Sequence, residues 1–309
     1  MVLIYIKKLN INYFKIIIII LLSYFVIISY YHNVTRVCLC VIGKKENLYI
    51  NEYINHYKKI GYNHIFLYDN NDINEEKFED VLKREIKYGF VSIINYRGYR
   101  GKLNHPQFDA YYDCYEKNNK NYQWLSFYDL DEFLELIPSN IKINKLLDNR
   151  RYDKCDNIKI NWLIYSDNNL IYYEKKPLVE RFTLPNYETR GNIHIKSTIR
   201  GNLKTNYWNG TKDPHTSQNN YSSCSSSGNI IKYNSPFNDP PDYKFAFLKH
   251  YHTKTIEEFC NKIKRGRATK KLDFSQKEML FRIKMFFSIN NKTKEKLAII
   301  QKKLNISIN

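Results

Sequence analysis

Residues 36–72 read RVCLCVIGKKENLYINEYINHYKKIGYNHIFLYDNND, and the hydrophobic period changes twice within them. Val37 to Ile42 is a short apolar run rich in β-branched residues, which predicts a strand. From Glu46 to Ile60 the apolar residues Leu48, Ile50, Tyr53, Ile54, Tyr57 and Ile60 recur near helical spacing, and Gly61 ends the helix. His64 to Tyr68 is a second strand, closed by the turn composition Asp69-Asn70-Asn71-Asp72. Strand, helix and strand in about 35 residues make a βαβ unit whose two strands run parallel.

The alternation continues outward. Glu75 to Tyr88 reads as an amphipathic helix, Phe90 to Ile94 as a strand, His105 to Asn118 as a helix and Trp124 to Tyr128 as a strand. This order predicts a doubly wound α/β fold, a mostly parallel sheet sandwiched by helices, in which ligands bind beyond the carboxyl ends of the strands. Each strand ends in polar residues, and the clusters at Lys44 and Glu46, at Asp69 and Asn70, at Asn95 and Arg97, and at Asp129 and Asp131 are expected on one sheet edge. After residue 155, NIKINWLIY and LVERFTL read as strands, residues 186–241 are turn-rich, and helices return at Thr255 to Arg265, Gln276 to Phe287 and Lys292 to Lys303.

The stretch WLSFYDLDEFLEL, residues 124–136, places Asp129, Asp131 and Glu132 after the most apolar strand. In an extended segment Asp129 and Asp131 share one face, with Leu130 and Glu132 on the other. Two adjacent carboxylates repel unless a cation lies between them, so the pair suits a hard divalent ion such as Mn²⁺ or Mg²⁺, which in turn binds a diphosphate.

KKENLYINEYINHYKKIGYNHIFLYDNND, GFVSIINYRG, WLSFYDLDEFLEL, IKINWLIYSDN, VERF, IHIKSTIR, DPHTS and LKHYHTKTIEEFCNKIKRGRA occur in that order over residues 36–270. Together they make the chain resemble glycosyltransferase family 92 and related family 2-like enzymes. The resemblance implies a GT-A fold, a nucleotide-sugar donor that is UDP-linked, a glycan or glycoconjugate acceptor, and inversion at the transferred sugar; in animals the family transfers galactose. It also implies a metal site at Asp129 and Asp131, completed by His250 with His252 as the rival. Donor contacts are implied at Lys44, Glu46 and Asn47, at Asp69 and Asn70, and at Arg97, Lys254 and Arg265, with Arg100 and Arg267 as further cations. His215 falls on the acceptor side. An inverting reaction needs a carboxylate base, and Asp167, Glu180 and Asp213 remain as alternatives. Trp208 and Trp162 are sugar-stacking candidates, although Trp162 lies inside a strand pattern and suits a core.

Residues 11–31, INYFKIIIIILLSYFVIISYY, are apolar enough as a helix to reach across a membrane, and Lys7, Lys8 and Lys15 mark a cytosolic side. With no small-residue cleavage site, the reading is a signal-anchor in a single-pass type II protein whose body is lumenal or external; a cleaved signal peptide is the alternative. This divides the chain into a tail and membrane helix at 1–32, a transferase domain at 33–275 and a basic helical tail at 276–309. Sequons at Asn33, Asn209, Asn220, Asn291 and Asn305 agree with that compartment, but an Asn-rich chain produces them by chance.

Lys plus Arg number 49 against 31 Asp plus Glu, a formal charge of +18. Lys, Asn, Ile and Tyr are over-used together, as an A- and T-rich coding sequence produces, so the basicity alone does not identify a polyanionic partner. A nucleic-acid or anionic-membrane binder would not centre an acidic pair on its sheet edge, and no helix-turn-helix, zinc-finger or RNA-binding motif occurs, so no nucleic-acid partner is expected. A degenerate sugar-binding relative would not need both aspartates. The six cysteines form no metal-binding or dithiol pattern and leave the redox compartment open.

Overall fold

The computed structural model describes Tyr13 and residues 15–23, 35–99, 105–203, 213–216, 221–232, 235–266 and 276–306. Arg100, Trp208 and Arg267, and the sequons at Asn33, Asn209 and Asn220, lie outside the described residues. The chain divides into two units, Met1–Thr35 and Arg36–Asn309. In the first, residues 15–23 are helical, roughly 14 Å of helix. Among the described residues no helix is long and apolar enough to cross a membrane; residues 11, 12, 14 and 24–31 of the span expected over 11–31 lie outside the described residues.

The second unit is a mixed α/β body around a mostly parallel sheet. Strands β1 (Val37–Gly43), β2 (His64–Asp69), β3 (Val91–Asn95) and β4 (Trp124–Phe127) are followed by β5 (Glu132–Leu136), β6 (Asn157–Ile164), β7 (Ile195–Arg200), the two-residue β8 (Ser223–Cys224) and β9 (Ile230–Ile231), and β10 (Ala246–His250). The order across the sheet is β3-β2-β1-β4-β7-β6-β10-β5. β3, β2, β1 and β4 are all parallel, and Gly43, Asp69 and Asn95 stand in register at their carboxyl ends. β7 enters antiparallel between β4 and β6, while β10 lies parallel to β6 and antiparallel to β5.

Alternation along β1 divides the core. Val37, Leu39 and Val41 face helix α1 (Ile50–Lys59), which presents Tyr53, Ile54 and Tyr57. Cys38 and Cys40 face helix α2 (Pro106–Asn118), which presents Ala110, Tyr111, Cys114 and Tyr115. A Cys40–Cys114 disulfide joins α2 to β1, and Cys155–Cys224 joins the segment before β6 to β8; Cys38 and Cys260 are buried and free. Gly43 ends β1 where any Cβ would collide with Leu130 and Phe78, so glycine here lets the acidic turn close against the sheet.

Helices α3 (Ile256–Arg265), α4 (Gln276–Ile289) and α5 (Lys294–Leu304) build a further apolar cluster from Ile256, Phe259, Ile263, Met279, Ile283, Phe286, Ile300 and Leu304. Two sequence expectations are corrected. The predicted helix over Glu75 to Tyr88 is two short turns, Phe78–Val81 and Lys83–Lys87, interrupted at Leu82. LVERFTL is not a strand: Leu178–Arg181 form a helical turn because Pro177 leads into it and the Glu52 carboxylate accepts the N–H groups of Leu178 and Val179.

Candidate active site

Beyond the strand ends lies a cleft of about 430 Å³, lined among others by Lys44, Glu46, Asn70, Asp129, Asp131, His250 and Arg265. The first, second and fourth strand ends therefore meet as expected. The acidic stretch does not continue as a strand. β4 stops at Phe127 and Asp129 to Glu132 close a turn, in which Glu132 N–H donates to the Asp129 carbonyl at 3.1 Å and the Glu132 carboxylate accepts the Asp129 N–H at 2.8 Å. Glu132 is fully buried and holds this turn from within.

The turn separates the two aspartates by partner. Asp129 accepts from Lys196 Nζ at 2.7 Å, from Gln107 at 2.6 Å and from the Tyr111 hydroxyl at 3.1 Å. Lys196 also lies 3.6 Å from Glu132. Burial, with Asp129 and Asp131 nearby, pushes the Glu132 carboxyl well up, so the Lys196 ammonium serves chiefly Asp129. Asp131, 7% exposed, accepts from Lys262 Nζ at 2.6 Å and stands 3.6 Å from His250 Nε2. Burial pushes its carboxyl up, but Lys262 and His250 outweigh that and hold it well below the usual carboxylate range.

Strand pairing explains why His250 arrives here. β10 runs antiparallel to β5 with His250 opposite Glu132, and Tyr251 N–H donates to the Asp131 carbonyl at 2.9 Å. Asp131, His250 and His252 each bring a ligand atom within 4.8 Å of the others. A carboxylate with two imidazoles is a donor set that suits a divalent transition ion, and His250 Nδ1 is buried without a hydrogen-bond partner among the described residues. Burial lowers the His250 pKa against the pull of Asp131, favouring the neutral imidazole that a metal needs. The residues present thus fit a cation, with His252 joining His250 and with Asp129 bonded to lysine instead.

Several expected donor contacts are turned to other work. Arg97 is 2.9 Å from the buried Asp69, and its guanidinium also donates to the carbonyls of Asp72, Ile73, Glu75 and Glu76. Both residues therefore shape the loop after β2 and do not open into the cleft. Asn47 bonds the Lys77 carbonyl and the Glu76 carboxylate outside the cleft. Asn70 does line it, anchored by its amide to the carbonyls of Tyr96 and Tyr99. Glu46 takes Arg265 at 2.5 Å and Lys254 at 3.5 Å, and Arg265 also donates to the carbonyls of Lys44 and Lys45. Lys254 is buried over the Tyr49 ring and borders an adjoining hollow, while Lys44 reaches the cleft paired with Asp72 at 2.8 Å.

The three candidate bases separate clearly. Asp167 is buried and ion-paired with Lys296 at 2.6 Å, and Glu180 is exposed on its helical turn; none of the three candidates, Asp213 included, is among the residues that line the cleft. Asp213 accepts the His215 N–H at 2.9 Å. Burial raises its pKa, while Lys196 and Lys159 pull it down, so it shares the field of the lysine that holds Asp129. His215 is buried, with Nδ1 3.2 Å from Ser197 Oγ, and burial together with Lys196 and Lys159 keeps it well below the ordinary imidazole range.

Some residues of this region were not singled out from the sequence. Gln107 and Tyr111 stand four apart on α2, and Lys262 stands three before Arg265, already a donor candidate, on α3, so each pair shares a helix face; that spacing was the available signal. Lys196 stands in IHIKSTIR with no role assigned to it from the sequence, and lysine is a residue type almost never buried without a partner. Trp162, expected in the core, lines the cleft, its ring stacked on His194 at 4.7 Å and set against His250 at 4.2 Å.

The sequence model of glycosyltransferase family 92 matches residues 33–270. No curated protein sequence matches the chain. Among solved structures, S. aureus TarS is similar at 11% identity and a TM-score of 0.35, over 83% of this chain and 44% of that one. A structure of S. aureus TarS 1-349 is similar at 11% identity and a TM-score of 0.34, over 88% of this chain and 71% of that one. The chain thus spans less than half the length of the first. With the acidic turn, Lys196, His250 and α3 all inside the matched residues, the chain belongs to glycosyltransferase family 92 and is a glycosyltransferase.

Proposed function

We propose that the protein moves a sugar from a UDP-linked nucleotide-sugar to a hydroxyl of a glycan or glycoconjugate, with inversion, on a GT-A-like doubly wound fold. The observation that carries this reading is the grouping of Asp131, His250 and His252 in a strand-end cleft that also holds Lys44, Lys262 and Arg265. A bound divalent ion would neutralise charge on the departing nucleoside diphosphate. Two imidazoles favour Mn²⁺ over Mg²⁺, which prefers oxygen ligands and keeps its waters. Lys262, only part-buried, is placed to leave Asp131 for phosphate oxygen when a cation arrives.

On the acceptor side, Lys196 fixes Asp129 and Asp213 takes the proton from the attacking hydroxyl. A carboxyl raised by burial is a stronger base than a solvated one, which suits that role near neutral pH. The full chain in detergent, screened against UDP-, GDP- and CMP-linked sugars, is expected to turn over a UDP-sugar with Mn²⁺ and to stop when the metal is chelated. Asp213→Asn is expected to keep nucleotide binding and lose transfer by roughly a hundredfold or more. Turnover that survives chelation, or an Asp213→Asn enzyme at full rate, would contradict these assignments.

The same reading makes residues 11–31 a signal-anchor and puts the body in an ER- or Golgi-like lumen, or outside the cell. The Cys40–Cys114 and Cys155–Cys224 disulfides support it, because such bonds persist in oxidising compartments. In sealed membrane vesicles from expressing cells, the body is expected to resist added protease until detergent opens them. Digestion without detergent would reverse the orientation.

A further inference from the structure

The family match ends at residue 270, yet the cleft does not. Helix α4, which begins at Gln276, contributes Arg282 and Met285 to its wall, which Lys44 and Asn70 of the strand ends also line. Three residues apart, the two side chains share one helix face. That face is held in place by a buried polar corner at the end of α4. Asn290 accepts the Asp167 N–H at 2.6 Å and donates to Thr253 Oγ1 at 3.1 Å, while Asn186 donates to the Ile289 carbonyl at 2.9 Å. Lys296 of α5 adds its bonds to Asp167 at 2.6 Å and to Asn169 at 2.9 Å. Apolar packing of Met279, Ile283 and Phe286 on α3 completes the attachment.

Arg282 is the cation this wall supplies. Its side chain is 14% exposed, and Nε donates to Glu278 at 2.8 Å, one turn back on the same helix, which steadies the guanidinium. Its two Nη groups have no acceptor among the described residues. Arg265, the other guanidinium of the cleft among the described residues, already spends Nη1 on Glu46 and on two backbone carbonyls. A planar guanidinium with both Nη groups open matches the paired oxygens of a phosphate better than an ammonium does.

We infer that α4, beyond the residues that the family match covers, forms the closing wall of the donor cleft, and that Arg282 grips the diphosphate of the nucleotide-sugar. This rests on the nucleotide-sugar reading above. The test is calorimetric titration of the full chain in detergent, with Mn²⁺ present, using UDP, GDP and inorganic pyrophosphate as probes. Arg282→Ala is expected to weaken UDP and pyrophosphate alike by about tenfold or more, as loss of one charge-assisted hydrogen bond would, with Arg282→Lys recovering only part. Arg282→Gln, which keeps a donor toward Glu278, replaces the alanine variant if that one melts early. Unchanged UDP affinity in a variant that melts like the parent overturns the inference and leaves the nucleotide-sugar reading standing. Weakened UDP binding with unchanged pyrophosphate binding also overturns it, because the contact is then with base or ribose. A parent chain that binds none of the three probes overturns the nucleotide-sugar reading itself, and the role of Arg282 with it.

Discussion

Asp131→Asn is expected to lower transfer by about a thousandfold or more and to abolish saturable Mn²⁺ binding, with a lowered melting temperature but a folded protein. The magnitude follows from what the side chain does. It is the one carboxylate in the group with His250 and His252, and loss of a group that positions charge stabilisation at a reacting centre removes two to three orders of magnitude or more in comparable sites. The substitution is nearly isosteric, and it removes an anion whose partner, Lys262, retains solvent access, so folding should tolerate it. Asp129→Asn separates the roles of the two aspartates. Because Asp129 is bonded to Lys196, Gln107 and Tyr111, its variant is expected to keep Mn²⁺ binding while losing rate. Mn²⁺ titration followed by electron paramagnetic resonance, alongside initial rates, reads both. An Asp131→Asn protein that still binds Mn²⁺ and still transfers would sink the proposed metal site.

Breaking the Arg181–Glu258 pair is expected to have the largest effect on stability. Arg181 donates to Glu258 through both Nη groups, at 2.8 and 2.9 Å, and the side chains are 1% and 4% exposed. Glu258 also accepts from the Tyr49 hydroxyl at 2.6 Å and completes the capping box of α3 with Thr255. Arg181→Leu therefore leaves a buried carboxylate without its cation, a loss of about 3–5 kcal/mol. Urea unfolding should show it as a lower midpoint, and a change below about 1 kcal/mol would mean that the pair is not carrying α3. The pH dependence has a definite sign. Burial raises the Glu258 carboxyl, but the Arg181 fork and the Tyr49 and Thr255 hydroxyls more than reverse this, so the folded pKa lies below the ordinary value. A depressed carboxylate contributes stability that is present above the unfolded pKa and is lost as pH falls through the folded one. The deficit of Arg181→Leu should accordingly be full at neutral pH and shrink under acid.

Much of the fold was legible because its signals are local. The change of period in residues 36–72 marks β1, α1 and β2, and the same reading locates β3, α2 and β4 to within a residue or two of their ends. The acidic turn was recognisable as the end of a buried strand. Reading failed where a distant partner decides the local shape. Pro177 and the Glu52 carboxylate make LVER a helical turn, although its composition suits a strand, and Glu132 folds back on Asp129 so that the two aspartates do not share one face as they would in extended chain.

The site divides in the same way. That Asp129, Asp131, Lys44 and Asn70 lie near one another follows from parallel strands ending at one edge, a consequence of the βαβ pattern alone. Which cation serves which carboxylate does not follow, since this chain has many lysines and only the packed sheet chooses among them. β7 sets Lys196 beside Asp129, and α3 brings Lys262 to Asp131 across 131 positions of sequence. Arg97 looked like a phosphate ligand at a strand end, but the fold turns it inward onto Asp69 and four carbonyls. The sequence by itself determined the strand-end chemistry, because side-chain periodicity is a property of neighbouring residues. Only the tertiary structure joined His252 to His250 and Asp131, turned Asp129 toward lysine and laid α4 over the cleft. Those pairings depend on distances between segments far apart in the chain, which no local pattern contains.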